Sequence, residues 1–289
     1  MSWVTIEYDK CNSCGICLEG CDRCFFMDGG RISVNADINS CSICGRCVSL
    51  CPADAITHSE MDMKNFHEIK KRNFISADEF FEFLRQRRSH RSFLDKSIPE
   101  PDIKKLVDVV RYSPTGSNSQ SVEVLVIQDT AKIKKLSDLA VEFMVNSGIE
   151  TAKMLENLKA EGKTGPEEIG QMETMIGYGE VMKKKSEMGM DPVLYNAPAV
   201  MVFHARDEMF SKKDDCVIAS TTVGLLARTM GLEYTYIGIL QGAADNYPPV
   251  MEELEIPAGN KVYSVIIIGY PELKFLRTVD RRPVSIRRE

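Results

Sequence analysis

Nine of the ten cysteines in this 289-residue chain fall within its first 51 positions. Cys11, Cys14, Cys17 and Cys21 form a C-x2-C-x2-C-x3-C run. Cys41, Cys44, Cys47 and Cys51 repeat it thirty positions later, with Pro52 after the last. An iron–sulfur cube needs four thiolates converging from different directions, and a C-x2-C-x2-C loop wraps three of them around one cube while the fourth comes from farther away. Zinc also uses C-x-x-C knuckles, but it takes four ligands in all, and two adjacent four-cysteine runs exceed that need. Disulfides would require an oxidising compartment, and no apolar leader with a cleavage site precedes Trp3, so the chain reads as intracellular. The spacing predicts iron–sulfur chemistry.

From about Ser2 to Met61 the segment resembles a bacterial two-cluster [4Fe-4S] ferredoxin, in which the fourth cysteine of each run ligates the other cluster. The resemblance implies one cluster on Cys11, Cys14, Cys17 and Cys51 and a second on Cys41, Cys44, Cys47 and Cys21. The second run ends in the family's Cys-Pro, whereas the first ends in Cys21-Asp22 and is followed by an extra Cys24. Either Cys21 or Cys24 is then the eighth ligand.

The chain is long enough for a small domain and a larger one. Its 44% hydrophobic content supports a core. No apolar run approaches the roughly 20 residues that would span a bilayer. A soluble, cytoplasmic protein is expected, with no membrane partner. Residues 1–62 carry nine acids against four bases, and so hold most of the net charge of −6. That acidity argues against nucleic acid as the small domain's partner and permits docking to a basic redox protein; it equally serves as a solvated surface.

Some 60 residues bury only a marginal core, so metal–thiolate bonds are expected to hold the domain 1–62 together, with strand-like pieces at Val4–Tyr8 and Arg31–Val34. Residues 62–73 read as a connection. A helix is expected from Ser76, with Phe80, Phe81 and Leu84 on its apolar face, and a second after Pro99–Pro101, with Ile103, Leu106, Val107 and Val110 on one side. Glu123–Gln128 reads as a strand and Thr130–Asn146 as a helix closed by Gly148. Residues 149–195, rich in methionine, lysine and glutamate, read as helical lid segments. Ala197–Ala205 is expected as a buried strand, Asp214–Met230 as a helix capped by Gly231, and Glu233–Ile237 and Val262–Tyr270 as further strands. The order predicts an α+β sheet domain with helices on its faces.

Within that domain, Arg87-x-Ser89-x-Arg91 ends a helix and offers two guanidinium groups and a hydroxyl at alternating positions. Such a set suits a phosphate with a second anionic or carbonyl group nearby, although arginines ending a helix commonly serve as dipole partners. The run Ser113–Ser119 is a set of turn formers too polar for core. Taken in order, R-R-S-H-R-S-F, Y-S-P-T-G-S-N-S-Q, G-L-E-Y-T-Y-I-G and a terminal R-R-P resemble the FMN-dependent nitroreductase family, over about Phe74 to Pro283.

The resemblance implies a nitroreductase-like α+β sandwich over 74–289 with a lid insertion at about 149–195. It further implies a homodimer with FMN at the subunit interface. Arg87 and Ser89, with Arg88 beside them, would hold the FMN phosphate, and Arg281 and Arg282 would close over it. Arg91 would face the pyrimidine edge of the ring. Pro114, Thr115, Gly116 and Asn118 would line ring and ribityl chain from the other subunit, and Tyr236, Gly238 and Ile239 would lie near N5. Val279 and Asp280 stand where the family often has a further basic residue. His90 is a weak candidate for a proton source, the catalysis being centred on the flavin. Cys216 reads as a buried small hydrophobe.

The expected function is a flavin-dependent oxidoreductase: two [4Fe-4S] clusters feed FMN, which reduces a small electrophilic substrate of nitroaromatic, quinone or enone type. The donor would be reduced ferredoxin or NAD(P)H. Two other functions fit the sequence: an electron-transfer module between proteins, and a non-enzymatic iron–sulfur sensor or scaffold.

Overall fold

A computed structural model describes residues 3–35, 41–70, 74–163 and 165–289. The connection expected at 62–73 falls partly outside these, at residues 71–73. The chain divides into two compact units, Met1–Ala77 with Ser117–Ser119, and the remainder.

The smaller unit carries its sequence repeat into its backbone. In each cysteine run a residue of positive φ is followed two positions on by a left-handed glycine: Ser13 and Gly15 in the first, Ile43 and Gly45 in the second. Each glycine caps the start of a five-residue helix, α1 (Ile16–Gly20) or α2 (Arg46–Leu50). The left-handed conformation costs little only without a Cβ, which is why glycine stands at both positions. Cys21 and Cys51 cap the far ends of the two helices. Two antiparallel pairs close the unit. β1 (Val4–Ile6) pairs with β4 (Ile56–His58), and β2 (Phe25–Asp28) with β3 (Arg31–Val34). Its core is small: Val4, Ile6, Phe25, Ile32, Val48 and Ile56, completed by the buried thiols of Cys17, Cys24 and Cys47.

The larger unit is built on a four-stranded antiparallel sheet. Its strands are β5 (Glu123–Ile127), β6 (Ala199–Arg206), β7 (Glu233–Tyr236) and β8 (Asn260–Gly269), in the order β5-β6-β8-β7. β6 and β8 are central and covered on both sides, so they read as continuous apolar runs. The two-residue period of a strand then sorts their side chains. Val200, Val202, Val265 and Ile267 face one core, while Ala199, Met201, Phe203, Ile266 and Ile268 face the other.

Helices α5 (Thr130–Glu161), α6 (Pro166–Glu187), α8 (Gly238–Asn246) and α9 (Pro248–Leu254) supply the first core, and α4 (Glu100–Asp108) and α7 (Lys212–Thr229) the second. Each fully buried Val, Leu or Ile contributes about 1.5–3 kcal/mol. Two such faces therefore make the sheet the rigid support for the loops at its ends.

Three boundaries differ from the sequence expectation. α5 does not stop near Gly148 but continues to Glu161, where Gly162 in the left-handed region supplies the C-cap. The close approach of the two helices needs glycine at Gly179 of α6, where a Cβ would lie 2.7 Å from the Met144 carbonyl oxygen, whereas at Gly148 a Cβ would meet the Ile176 backbone at an ordinary 3.6 Å. Much of 149–195 is accordingly regular helix, α5 and α6 running side by side. The third difference is α8 and α9, which stand between β7 and β8 where no helix was expected. Proline at the first helical positions starts a helix readily, as it does in α9. Among the described residues no helix is long and apolar enough to cross a membrane.

Candidate functional site

The smaller unit gathers the cysteines into two cavities. Cys11, Cys14 and Cys17 line one together with Cys51 of the second run, beside Ile6 and Ile32. Cys41, Cys44 and Cys47 line the other together with Cys21 of the first run, beside Cys24 and His58. Each cavity thus draws three cysteines from one run and one from the other. Burial repeats as well: the first and fourth cysteines of each run are half-buried, the second exposed and the third buried. Among the described residues, no three His, Cys, Asp or Glu side chains are grouped so as to hold a single metal ion.

Desolvation pushes the Cys47 thiol up to about 11. Desolvation, reinforced by hydrogen bonding with Cys21, pushes Cys24 up to about 12. Buried thiols of this kind become thiolates when positive charge is placed among them, as a bound metal centre does. Cys24 differs from the other eight cysteines of the smaller unit in lying outside both C-x2-C-x2-C-x3-C runs. It is 6% exposed and leads into β2 within the small apolar core, whereas Cys21 caps α1 as Cys51 caps α2.

In the larger unit, Arg87, Arg88 and Ser89 follow the end of α3 (Ala77–Arg85) and are half-buried, while Arg91 is exposed. The motif is anchored by His90. Its backbone N–H donates to the Tyr234 carbonyl at 3.3 Å, and its ring lies buried, with Nε2 3.1 Å from the Leu273 carbonyl oxygen and its plane edge-on to Phe275. Glu233 Oε2 stands 3.6 Å from His90 Nδ1 and also accepts from Arg228. A histidine packed in this way ties the motif to β7 and to the chain after β8. It lines a cavity of about 420 Å³ with Gln86, Arg228, Glu233, Leu273 and Phe275.

Arg91 lies 5.8 Å from the ring centroid of Tyr195, whose hydroxyl burial pushes up in pKa while Arg91 acts in the opposite direction. The loop carrying Tyr195 is fixed by Asp191, a buried carboxylate that accepts from Ser137 and from the backbone N–H groups of Val193, Leu194 and Asn196.

Gly238 and Ile239 open α8 at the C-terminal end of β7. The N–H groups of a helix's first turn have no partner within the helix, so they are available to a ligand atom. Gly238 is exposed, and no atom comes within 4 Å of where its Cβ would stand. Tyr236, the last residue of β7, exchanges a 2.7 Å hydrogen bond with the Thr221 hydroxyl.

The 113–119 run is held at two points. The Gly116 N–H donates to Asp215 at 3.0 Å. Asn118 belongs to the smaller unit, where its amide donates to the carbonyls of Ser42 and Ile43 at 3.0 and 3.1 Å. Pro114 is exposed and Thr115 half-buried. Arg281 and Arg282 lie on an exposed tail without regular structure. Cys216 is fully buried, and desolvation pushes its thiol up to about 12, which makes it inert. Sequence reasoning passed over His58 and Tyr195; a lone histidine after a cysteine run, and a tyrosine inside a weak pattern, carry no spacing signal.

The nitroreductase family model matches residues 84–270, and the chain belongs to that family of oxidoreductases.

A relative from Archaeoglobus fulgidus, named for NADH dehydrogenase and NAD(P)H nitroreductase, is 26% identical over 215 residues, spanning 73% of this chain and 98% of that protein. A ferredoxin from Methanothermococcus thermolithotrophicus is 42% identical over 59 residues, 20% of this chain and 98% of that one. Among solved structures, a nitroreductase with bound FMN from Bacteroides fragilis aligns with a TM-score of 0.53 at 19% identity. It covers 73% of this chain and 99% of its own. That likeness supports the α+β fold of the larger unit.

Proposed function

We propose that the chain is a ferredoxin–nitroreductase fusion: residues 1–62 hold two [4Fe-4S] clusters, residues 74–289 hold FMN, and electrons pass through both to a small electrophilic substrate of nitroaromatic, quinone or enone type. The observation that carries the reading is the crossed cysteine set, three ligands from one run and one from the other in each cavity. A cube needs four thiolates from different directions, and only the fold brings Cys51 to the first run and Cys21 to the second.

For FMN, the fit is chemical. Arg87 and Ser89 offer a guanidinium fork and a hydroxyl to a doubly charged phosphate. Arg91, braced on Tyr195, offers a cation to the pyrimidine edge. Gly238 and Ile239 open α8, where first-turn N–H groups have no partner within the helix, and no atom comes within 4 Å of where a Gly238 Cβ would stand. FMN, when bound, supplies exchange of electrons singly or in pairs. Arg88, Arg281 and Arg282 are cations available to the phosphate, Pro114, Thr115, Gly116 and Asn118 are assigned to the ring and ribityl chain, and Tyr236 is assigned beside Gly238 and Ile239.

A homodimer accounts for an open apolar surface. α3 buries no residue, and Phe80, Phe81 and Leu84 on it are exposed, as are Phe74 and Ile75 just before it. Exposed apolar surface of this kind marks an interface. The α5–α6 hairpin is assigned as the lid over the substrate. The electron donor is reduced ferredoxin or NAD(P)H.

Anaerobic isolation followed by cofactor extraction tests the proposal. About eight iron and eight sulfide are expected, with one FMN per chain. Four of each would mean that one run holds no cluster, and a chain without flavin would overturn the assignment of the larger unit.

A further inference from the structure

His58 ends β4 inside the smaller unit, is 2% exposed, and lines the cavity of Cys21, Cys41, Cys44 and Cys47. Its two ring nitrogens are distinguishable. The backbone N–H of Glu60 donates to Nδ1 at 3.2 Å. Nδ1 is therefore the acceptor, and the proton of the neutral ring sits on Nε2. Nε2 lies 3.4 Å from the Cys41 sulfur. That sulfur thus receives a side-chain N–H in addition to the backbone N–H of Ile43, also at 3.4 Å.

The internal repeat does not extend to this donor. Thirty positions before His58, at the end of β2, stands Asp28, an exposed carboxylate that can only accept when ionised. In the first cavity the Cys51 sulfur receives the backbone N–H of Ala55 at 3.3 Å.

We propose that His58 makes the two clusters unequal: its N–H···S hydrogen bond to Cys41 raises the reduction potential of the second cluster, so that an electron entering the unit settles there first. The inference rests on the two-cluster reading above. One-electron reduction adds negative charge that spreads onto the cysteine sulfurs, and a donor aimed at one of them stabilises the reduced form more than the oxidised form. In a buried setting that difference is weakly screened. The ring keeps its proton, no covalent bond is made or broken, and the added electron comes from the external one-electron donor. His58 acts through Cys41 and is a positioning residue.

The test is an EPR-monitored redox titration of the anaerobically isolated full chain and of His58→Leu, with iron and sulfide measured on both. Wild type is expected to take up two electrons in two resolved one-electron steps. In His58→Leu the equilibrium constant of the higher step should fall tenfold or more, which for a one-electron couple is about 59 mV, while the other step stays in place. Both steps moving together, or neither moving, would overturn the proposal.

If the variant loses a cluster, wild-type protein labelled with 15N-histidine replaces it. An imidazole nitrogen hyperfine coupling is then expected on the cluster reduced first, and its absence from that cluster would overturn the proposal. A wild-type chain that lacks two clusters removes the two-cluster reading itself, and the iron assay reports that separately.

Discussion

Removing iron from the chain is expected to unfold the Met1–Ala77 unit and leave the larger unit folded. The smaller unit has six aliphatic or aromatic side chains at its core, and three of the remaining buried groups are thiols of Cys17, Cys24 and Cys47. Domains of this size bury too little apolar surface to be secure on their own. Without a metal core the buried thiols, pushed above their ordinary range, stay protonated and add only what small apolar groups can.

Losing the metal bonds should cost on the order of the whole stability of a small domain, about 5 kcal/mol or more. Far-UV circular dichroism and limited proteolysis after anaerobic chelation read the result, with cleavage confined to the first 77 residues. Undiminished protection would show that the apolar core suffices. The same measurement separates the two candidates for the eighth ligand. Cys21→Ser should lose half of the iron and loosen the unit. Cys24→Ser should keep all of it, because Cys21 holds at the end of α1 the place that Cys51 holds at the end of α2, and Cys24 has no counterpart in the other half.

Exchanging Arg87 for Glu is expected to release FMN while the iron content stays unchanged. The substitution removes a guanidinium fork from a doubly charged phosphate and puts a carboxylate in its place. Charge-assisted bonds to ionised groups contribute about 1.5–3 kcal/mol, and repulsion adds to the loss. FMN affinity should therefore fall about 100-fold or more, close to 3 kcal/mol. Arg87→Lys should lose less, since an ammonium keeps the charge but not the bidentate geometry. Flavin fluorescence during ultrafiltration measures both. Retained FMN in Arg87→Glu would sink the phosphate assignment.

How much of this was legible in the sequence depends on whether the signal is local. The cysteine runs are local: ligand spacing and the paired glycines at 15 and 45 follow from the geometry of a tight loop. The central strands were legible too, since Ala197–Ala205 is a continuous apolar run and only a strand covered on both faces needs one. What failed locally is instructive. Gly148 looks like a helix end, yet α5 runs through it to Glu161, and the glycine that the packing of α5 on α6 requires is Gly179, a tertiary fact that no neighbouring residue announces. α8 and α9 were hidden by the glycines and prolines within them, residues that more often mark turns.

In the site, the arginine motif was visible only as a weak charge pattern, and its flavin role came from resemblance. His58 and the Asp191–Tyr195 brace became visible only when the fold brought residues 17 to 104 positions apart, Cys41 to His58 and Arg91 to Tyr195, into contact.

The central claim is that electrons reach the flavin through the clusters. Anaerobic rapid mixing of the FMN-loaded full chain with a one-electron donor tests it directly, by following cluster and flavin absorbance in wild type and in Cys47→Ser, which removes a buried cysteine of the second cavity. Cluster bleaching is expected first, followed by flavin bleaching at a rate independent of donor concentration, with flavin reduction slowed at least 100-fold in the variant. Flavin bleaching that is equally fast in both proteins would contradict it.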